Sequence, residues 1–381
     1  MVMKQIDDST LFSELDLDAP GLESVATAVS ADDLISAREA LVAYLRTRSH
    51  LPPPLTPHIP RDQLGTMDSD VARAADLIID HVFELLGHPP QKIGAKILWN
   101  EDPVDYDQWA ISLNRHFFWF SLGEAYQTTG DEKYAREFVD QLLGWIDAMP
   151  VPIGTRYFEG LDDREGLMSL SLDAGIRMGQ TWVPAYYHFL NAPSFDVEAH
   201  ISMLKAFRDH AHYLMDPAHN LKGTNWSIME SNGLFYIGAY FPEFRAAEEW
   251  RNTALERLHF ELGYQVYPDG AQIELTSDYH QVSLGNFVMT MRTAWRNGFD
   301  LPGDYKTLLE RMYNYNLYVA FPDLRMPAVN DGGQTDIRSS MKEGHEFFPE
   351  RDDFLWAATG GKEGAAPSVE SSAFPYAGHF V

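Results

Sequence analysis

The chain has 381 residues, 45% of them hydrophobic, enough for one large domain or two ordinary ones with a substantial core. Its 56 acidic residues against 29 basic ones leave a net charge of −27, which argues against nonspecific binding to nucleic acid or an anionic membrane. Cysteine is absent, which excludes disulfides and thiolate metal sites, and no apolar run approaches the roughly 20 residues of a membrane-spanning helix.

Residues 1–30 are acidic and weakly periodic and read as a lead-in, without the apolar segment of a secretory signal. The expected location is therefore cytoplasmic, or secreted or periplasmic if the native N-terminus has been replaced. Ser30-Ala31-Asp32-Asp33 starts a helix whose face carries Leu34, Ala37, Leu41, Tyr44 and Leu45, and whose basic end, Arg46 and Arg48, suits the helix dipole. Leu51 to Pro60 holds five prolines and reads as an extended spacer rather than a ligand for a proline-binding module.

Beyond it, apolar residues at helical spacing predict helices near 70–86, 107–128, 131–147, 168–190, 196–214, 226–240, 243–263, 280–297 and 304–320. Gly130-Asp131 and Pro242-Glu243 are tight enough to form antiparallel helical hairpins. No alternation of period two precedes residue 320 and no fixed-length repeat is present, so an all-α toroid with inner helices lining a cleft is favoured over a sheet enzyme or a solenoid. After residue 320 the character changes. Arg325 to Gly333 reads as a loop, 359–372 is rich in Gly, Ala, Ser and Glu, and Phe374 to Val381 alternates like an opening β-strand. A lone strand is unstable, so a β-rich domain is expected to follow in a longer parent. The expected division is a lead-in at 1–30, the toroid at 31–340, and a linker with the first segment of a further domain at 341–381.

The densest proton-transfer chemistry lies at Tyr267-Pro268-Asp269-Gly270-Ala271-Gln272-Ile273-Glu274-Leu275-Thr276-Ser277-Asp278-Tyr279-His280. Pro-Asp-Gly is a turn signal, and the apolar period from Val282 puts Tyr279 and His280 where a loop enters a helix. Gly223-Thr224-Asn225-Trp226 is a second loop-to-helix boundary. Asn225 is either an ordinary N-cap or a neutral donor aimed at a carboxylate or enolate, and Asn225-Trp226-Ser227 as a glycosylation acceptor is taken as chance. Asn114-Arg115-His116 sits among aromatics, and its members are either satisfied structural groups or line a polar cleft. Asp173 and Arg177, four apart, read as a helix ion pair.

His210 and His212 cannot share a helix face and are rejected as a zinc pair. HExxH, P-loop and GxSxG signatures are absent. Glu274 with Asp278, and Asp331 farther off, leave paired-acid glycoside hydrolysis open. Trp226 and Tyr267 would suit stacking on sugar rings, which also leaves a noncatalytic carbohydrate-binding domain open.

Taken together, Pro103 to Trp109, Leu113-Asn114-Arg115-His116, Ala125 to Ala135, Asn225-Trp226, Phe241-Pro242-Glu243-Phe244 and Tyr267 to His280 resemble the helical domain of the heparinase II/III-like polysaccharide lyases, over about residues 35–381. The resemblance is to the heparinase III-like branch, in which the asparagine and tyrosine have a similar separation. It implies an incomplete α/α toroid followed by an antiparallel β-sandwich domain. It also implies β-elimination on a uronic-acid polysaccharide of heparan sulfate, heparin or alginate type, giving 4,5-unsaturated products. By this resemblance Tyr279 matches the catalytic tyrosine and Asn225 the asparagine that neutralises the substrate carboxylate. Asn114, Arg115 and His116 fall at the cleft-lining motif; Trp226, Glu274 and His280 join them as substrate-binding candidates. No cofactor is expected in this chain, because the family's metal site and second catalytic histidine belong to the β-sandwich domain, and activity without that domain is expected to be weak or lost. The Leu167 to Ser171 run departs from the arginine-bearing version associated with the family, which bears on sulfated substrates.

Overall fold

The computed structural model describes residues 5–49, 51, 69–153, 171–369 and 371–381. The proline-rich spacer beyond Leu51 and most of the Leu167 to Ser171 run lie outside these residues. The described chain is predominantly helical, with two short antiparallel pairs, Val82–Phe83 with Gln91–Lys92 and Ala373–Phe374 with His379–Phe380. It divides into two compact units. One comprises Met1–Asn220 with Met229–Ala254, the other Leu221–Ile228 with Leu255–Val381.

The first unit begins earlier than the acidic lead-in suggested. Helices Asp8–Ser13 and Glu23–Ser30 bury Leu11, Phe12 and Val25. The Leu34–Thr47 helix starts as expected, with the Asp33 carboxylate capping the Ser36 N–H. Its basic end does more than complement a dipole. Arg46 donates to the carbonyls of Leu190 and Phe195, and Arg48 pairs with Glu243 at 2.5 Å while also donating to the Tyr240 carbonyl and the Tyr187 hydroxyl. Arg48 and Glu243 are nearly fully buried, so either one left alone would be strongly destabilising. That requirement explains the glutamate in the Phe241-Pro242-Glu243-Phe244 hairpin.

Trp119–Thr129 and Glu132–Ala148 form the expected hairpin. Gly130 ends the first helix at φ +69°, and the Asp131 carboxylate accepts from the Lys133 N–H to begin the second. The helix expected over 107–128 is broken, however, into Asp107–Leu113 and Trp119–Thr129. The helix expected over 70–86 stops at Ile79, and His81, at φ +53°, turns the chain into the first β-pair. Between Ser171–Ile176 and Val183–Phe189 the helix widens to a π-helical segment, Arg177–Trp182. A Cβ on Gly175 would stand 2.5 Å from the Met229 carbonyl oxygen, and one on Gly233 would stand 2.6 Å from that of Gly175, so these helices touch backbone to backbone.

The second unit packs Ser277–Asn297 and Tyr305–Val319 around Leu258, Leu262, Phe287, Leu309, Met312 and Tyr313. Two helices not anticipated, Arg338–Phe347 and Asp352–Ala358, complete this core with Met341, Phe348 and Phe354. The Phe374 segment is a β-strand as expected, paired locally with His379–Phe380. No helix among the described residues is long and apolar enough to cross a membrane.

Candidate active site

The turn at Tyr267–Gly270 sets the second unit's chemistry. The Gly270 N–H donates to the Tyr267 carbonyl at 2.8 Å, Gly270 adopts φ +95°, and a Cβ there would lie 2.2 Å from the Arg311 carbonyl oxygen. Only glycine fits. The Asp269 carboxylate accepts the N–H groups of Tyr376 and Ala377, which fastens the terminal β-pair to this turn. Leu275, at φ +53°, then redirects the chain, and Asn330 donates to its carbonyl at 2.9 Å.

Thr276 caps the following helix by accepting from the Tyr279 N–H at 3.0 Å, so Tyr279 sits in the first turn on a fixed backbone. Its side chain is half-buried, and among the described residues its hydroxyl makes no hydrogen bond. Ser277 donates to the Pro327 carbonyl, and Asp278 accepts from the Thr335 hydroxyl at 2.8 Å, which holds the Arg325–Asp336 loop against this turn.

Asn225 opens the Asn225–Tyr240 helix and, rather than capping it, donates its side-chain N–H to Glu274 Oε1 at 2.9 Å. Gln272, buried, donates to the same oxygen at 3.0 Å and accepts the Glu274 N–H at 2.8 Å. An ionised carboxylate only accepts, so Glu274 fixes which end of the Asn225 amide faces it and leaves the second N–H of Nδ2 for another acceptor. Asn225 and Glu274, with Trp226, Ile273, Leu221, Gly223 and Thr224, line an open pocket of about 340 Å³ within this unit, and Gln272 supports it from beneath. The structure thus unites Asn225, Trp226 and Glu274. Gln272, which positions two of them, was not singled out in the sequence; the only signal was its place two residues before Glu274.

The other candidates divide sharply. His280 is buried; its Nε2 donates to the Met312 carbonyl, and burial depresses its pKa to about 4. It is a neutral core imidazole, pointing away from open space because it follows Tyr279 on the helix by a single position. In the first unit Asn114 is likewise buried: its amide donates to the carbonyls of Trp99 and Ala110 and accepts from the Trp145 indole. His116, at φ +61°, is buried and stacks on Trp119 at 4.2 Å, its Nδ1 accepting from the Trp182 indole. Burial, reinforced by the Arg177 charge, holds its pKa well below the usual imidazole range. Asn114 and His116 therefore take the structural alternative, and their side-chain bonds accompany the break in the predicted helix.

Arg115 alone of the triplet reaches partway to solvent, and its Nε donates to Asp173 Oδ1 at 2.6 Å. This pairing replaces the expected Asp173–Arg177 bridge. The helix widens from Arg177 onward, and that side chain instead meets His210 and the Asn114 carbonyl and lies 4.7 Å from the Trp145 ring. Burial raises the Asp173 pKa against the pull of Arg115 and Arg177, and lowers that of Arg177 to about 10. Among the described residues no group of three or more His, Asp or Glu side chains is placed to hold a metal ion.

Comparison with known proteins agrees with this architecture. The family model for the heparinase II/III N-terminus matches residues 11–356. The chain is 31% identical over 387 aligned residues to a heparin-sulfate lyase of Bacteroides stercoris, covering 97% of this chain and 57% of the relative, and 29% identical to one of Pedobacter heparinus, covering 97% and 56%. Among solved structures it is similar to heparan sulfate lyase HepC from Pedobacter heparinus, with TM-score 0.76, 29% identity and 96% and 57% coverage of the two chains. A crystal structure of heparinase III gives TM-score 0.86, 25% identity and 96% and 58% coverage. The chain spans a little over half the length of the relatives it matches. The all-α class expected from the sequence is thus the class of these helical domains, and the chain belongs to the heparinase II/III N-terminal family.

Proposed function

We propose that this chain supplies the substrate-cleft half of a polysaccharide lyase that cleaves a uronic-acid polymer of heparan sulfate type by β-elimination. The observation that carries the reading is the Asn225 amide, oriented by Glu274 at the start of a helix and lining an open pocket. The C5 hydrogen of a uronate is poorly acidic while the neighbouring carboxylate is fully charged. A neutral N–H donor at a helix N-terminus, where the backbone dipole is positive, stabilises the enolate-like charge that builds on that carboxylate. As the C5–H bond breaks, C4=C5 forms, the C4–O4 bond is cleaved, and O4 must receive a proton. Tyr279, with a hydroxyl uncommitted among the described residues, is the group assigned to proton transfer, as base at C5, as acid to O4, or as both in turn. Arg115, 22% exposed and paired with Asp173, is assigned to acidic groups of the polymer, where its guanidinium would offer positive charge against a net −27.

The relatives named heparin-sulfate lyase support heparan sulfate as substrate over alginate. The paired-acid hydrolase reading has less support, because Glu274 is engaged by two amides and Asp278 by a threonine hydroxyl. The test is to incubate the full-length protein with heparan sulfate, alginate and hyaluronan while following the ultraviolet band of the unsaturated uronide. A rise with heparan sulfate is expected. Well-folded protein that produces no rise with any of the three overturns the lyase reading, and reducing ends without absorbance would assign hydrolysis instead.

A further inference from the structure

The helix Ala247–Gln265 presents two different faces to the Lys222-Gly223-Thr224 loop in the second unit. One face binds the loop: the Glu261 carboxylate accepts the Gly223 N–H through both oxygens, at 2.9 and 3.1 Å, and Gln265 donates to the Thr224 carbonyl at 2.7 Å. Both of these side chains are buried. The neighbouring positions on the same helix, Phe260 and Tyr264, are 41% and 57% exposed and stack on one another with centroids 5.6 Å apart and an angle of 14°. Single exposed aromatics are ordinary, but this pair has two further features. The Lys222 ammonium lies 3.8 Å from the Phe260 ring centroid. Gly223, which lines the Asn225 pocket, abuts the Tyr264 ring so closely that a Cβ would come within 3.1 Å of it. The aromatic pair therefore adjoins the pocket through Gly223, which belongs to the pocket wall and touches the Tyr264 ring.

We propose that Phe260 and Tyr264, with Lys222 over the Phe260 ring, form a stacking subsite for a flanking pyranose ring of an anionic polysaccharide whose reacting uronate occupies the Asn225 pocket. The apolar C–H face of a pyranose matches an aromatic face, and Lys222 offers a cation to a carboxylate or sulfate on the same sugar in a chain that otherwise repels anions. Glu261 and Gln265 hold the platform at fixed distance from Asn225, so the subsite sets the register of the polymer. The proposal rests on the polysaccharide reading of the Asn225 pocket but not on its chemistry.

The test uses the full-length protein carrying Tyr279→Phe, so that ligand is not consumed, titrated calorimetrically with a heparan sulfate disaccharide and hexasaccharide. Adding Phe260→Ala and Tyr264→Ala together is expected to weaken hexasaccharide binding roughly tenfold or more and to leave disaccharide binding within about twofold. Tyr264→Trp, which keeps a ring, should restore most of the loss relative to Tyr264→Ala. Lys222→Gln should flatten the salt dependence of hexasaccharide binding. Undiminished hexasaccharide binding by the double alanine variant overturns the subsite, as does an equal loss for both ligand lengths. Failure of the lyase reading shows differently: no unsaturated product from the unmodified protein, with the length-dependent binding intact.

Discussion

Asn225 Nδ2 and Glu274 Oε1 meet at 2.9 Å across 49 positions of chain, and this bond decides how the asparagine presents itself. Glu274→Gln replaces an obligatory acceptor with an amide that can face Asn225 in either sense. On the lyase reading we expect kcat to fall about tenfold with KM little changed, and Asn225→Ala to lower it by about 10²–10³. Steady-state kinetics on heparan sulfate check this. An unaltered kcat for Glu274→Gln would show that the bond does not orient the donor.

Tyr279→Phe removes a hydroxyl that makes no hydrogen bond among the described residues while keeping the ring. Thermal stability should stay within about 0.5 kcal/mol, as for substitutions that break no buried contact, while turnover falls at least 10²-fold. Calorimetric melting and rate measurements on one preparation separate the two effects. Loss of stability comparable to the loss of rate would assign the hydroxyl a structural role.

Two glycines of the second unit should respond with opposite signs. Gly270→Ala places a Cβ against the Arg311 backbone at φ +95° and should cost about 2–4 kcal/mol. Gly285→Ala, mid-helix with nothing within 4 Å of the added carbon, should stabilise by about 0.5–1 kcal/mol. Denaturant titrations rank them, and equal effects would refute the crowding assigned to Gly270.

Acid sensitivity follows from His280, whose folded pKa is lowered to about 4 from a reference of 6.5. Between these values the unfolded chain binds a proton that the folded one does not. The stability contributed by the neutral ring is therefore complete above pH 6.5 and is lost as the pH falls towards 4, by a few kcal/mol at most. His116 and His210 act in the same direction, whereas Asp173, with its raised pKa, acts oppositely. His280→Gln removes one titrating group and should shallow the slope of stability between pH 6.5 and 4. A slope identical to that of the unmodified protein would mean that the ring does not stay neutral in the fold.

Long helices with a clear apolar stripe, such as Val197–Met215 and Ser277–Asn297, were legible because their period follows directly from burying one face. Asp8–Ser30 was not, because sparse apolar residues, Leu11, Phe12, Leu15, Leu22 and Val25, are diluted by acids that face outward. The break at Asn114–His116 was invisible for a related reason. Its polar groups pair with Trp99, Ala110, Trp145 and Trp182, and only the folded chain brings them together. At the candidate site, residue type and helix-start position single out Asn225 and Tyr279 in the sequence, but the Gln272–Glu274–Asn225 chain joins two distant segments and has no periodic signature. His116 and His280 lie in the core because a neutral imidazole can be buried at moderate cost, so a histidine such as His280, next in sequence to a candidate proton-transfer group, need not face the same space.

The nine tryptophans are sorted by burial between the two units. Trp99, Trp109, Trp119, Trp145, Trp182 and Trp250, all in the first, are at most 3% exposed. Trp226, Trp295 and Trp356, all in the second, reach solvent in part or largely. Intrinsic fluorescence is thereby divided: indoles in a dry environment emit toward the blue and wetted ones toward the red. A denaturation watched at the two edges of the emission band reads each unit separately, with no label attached.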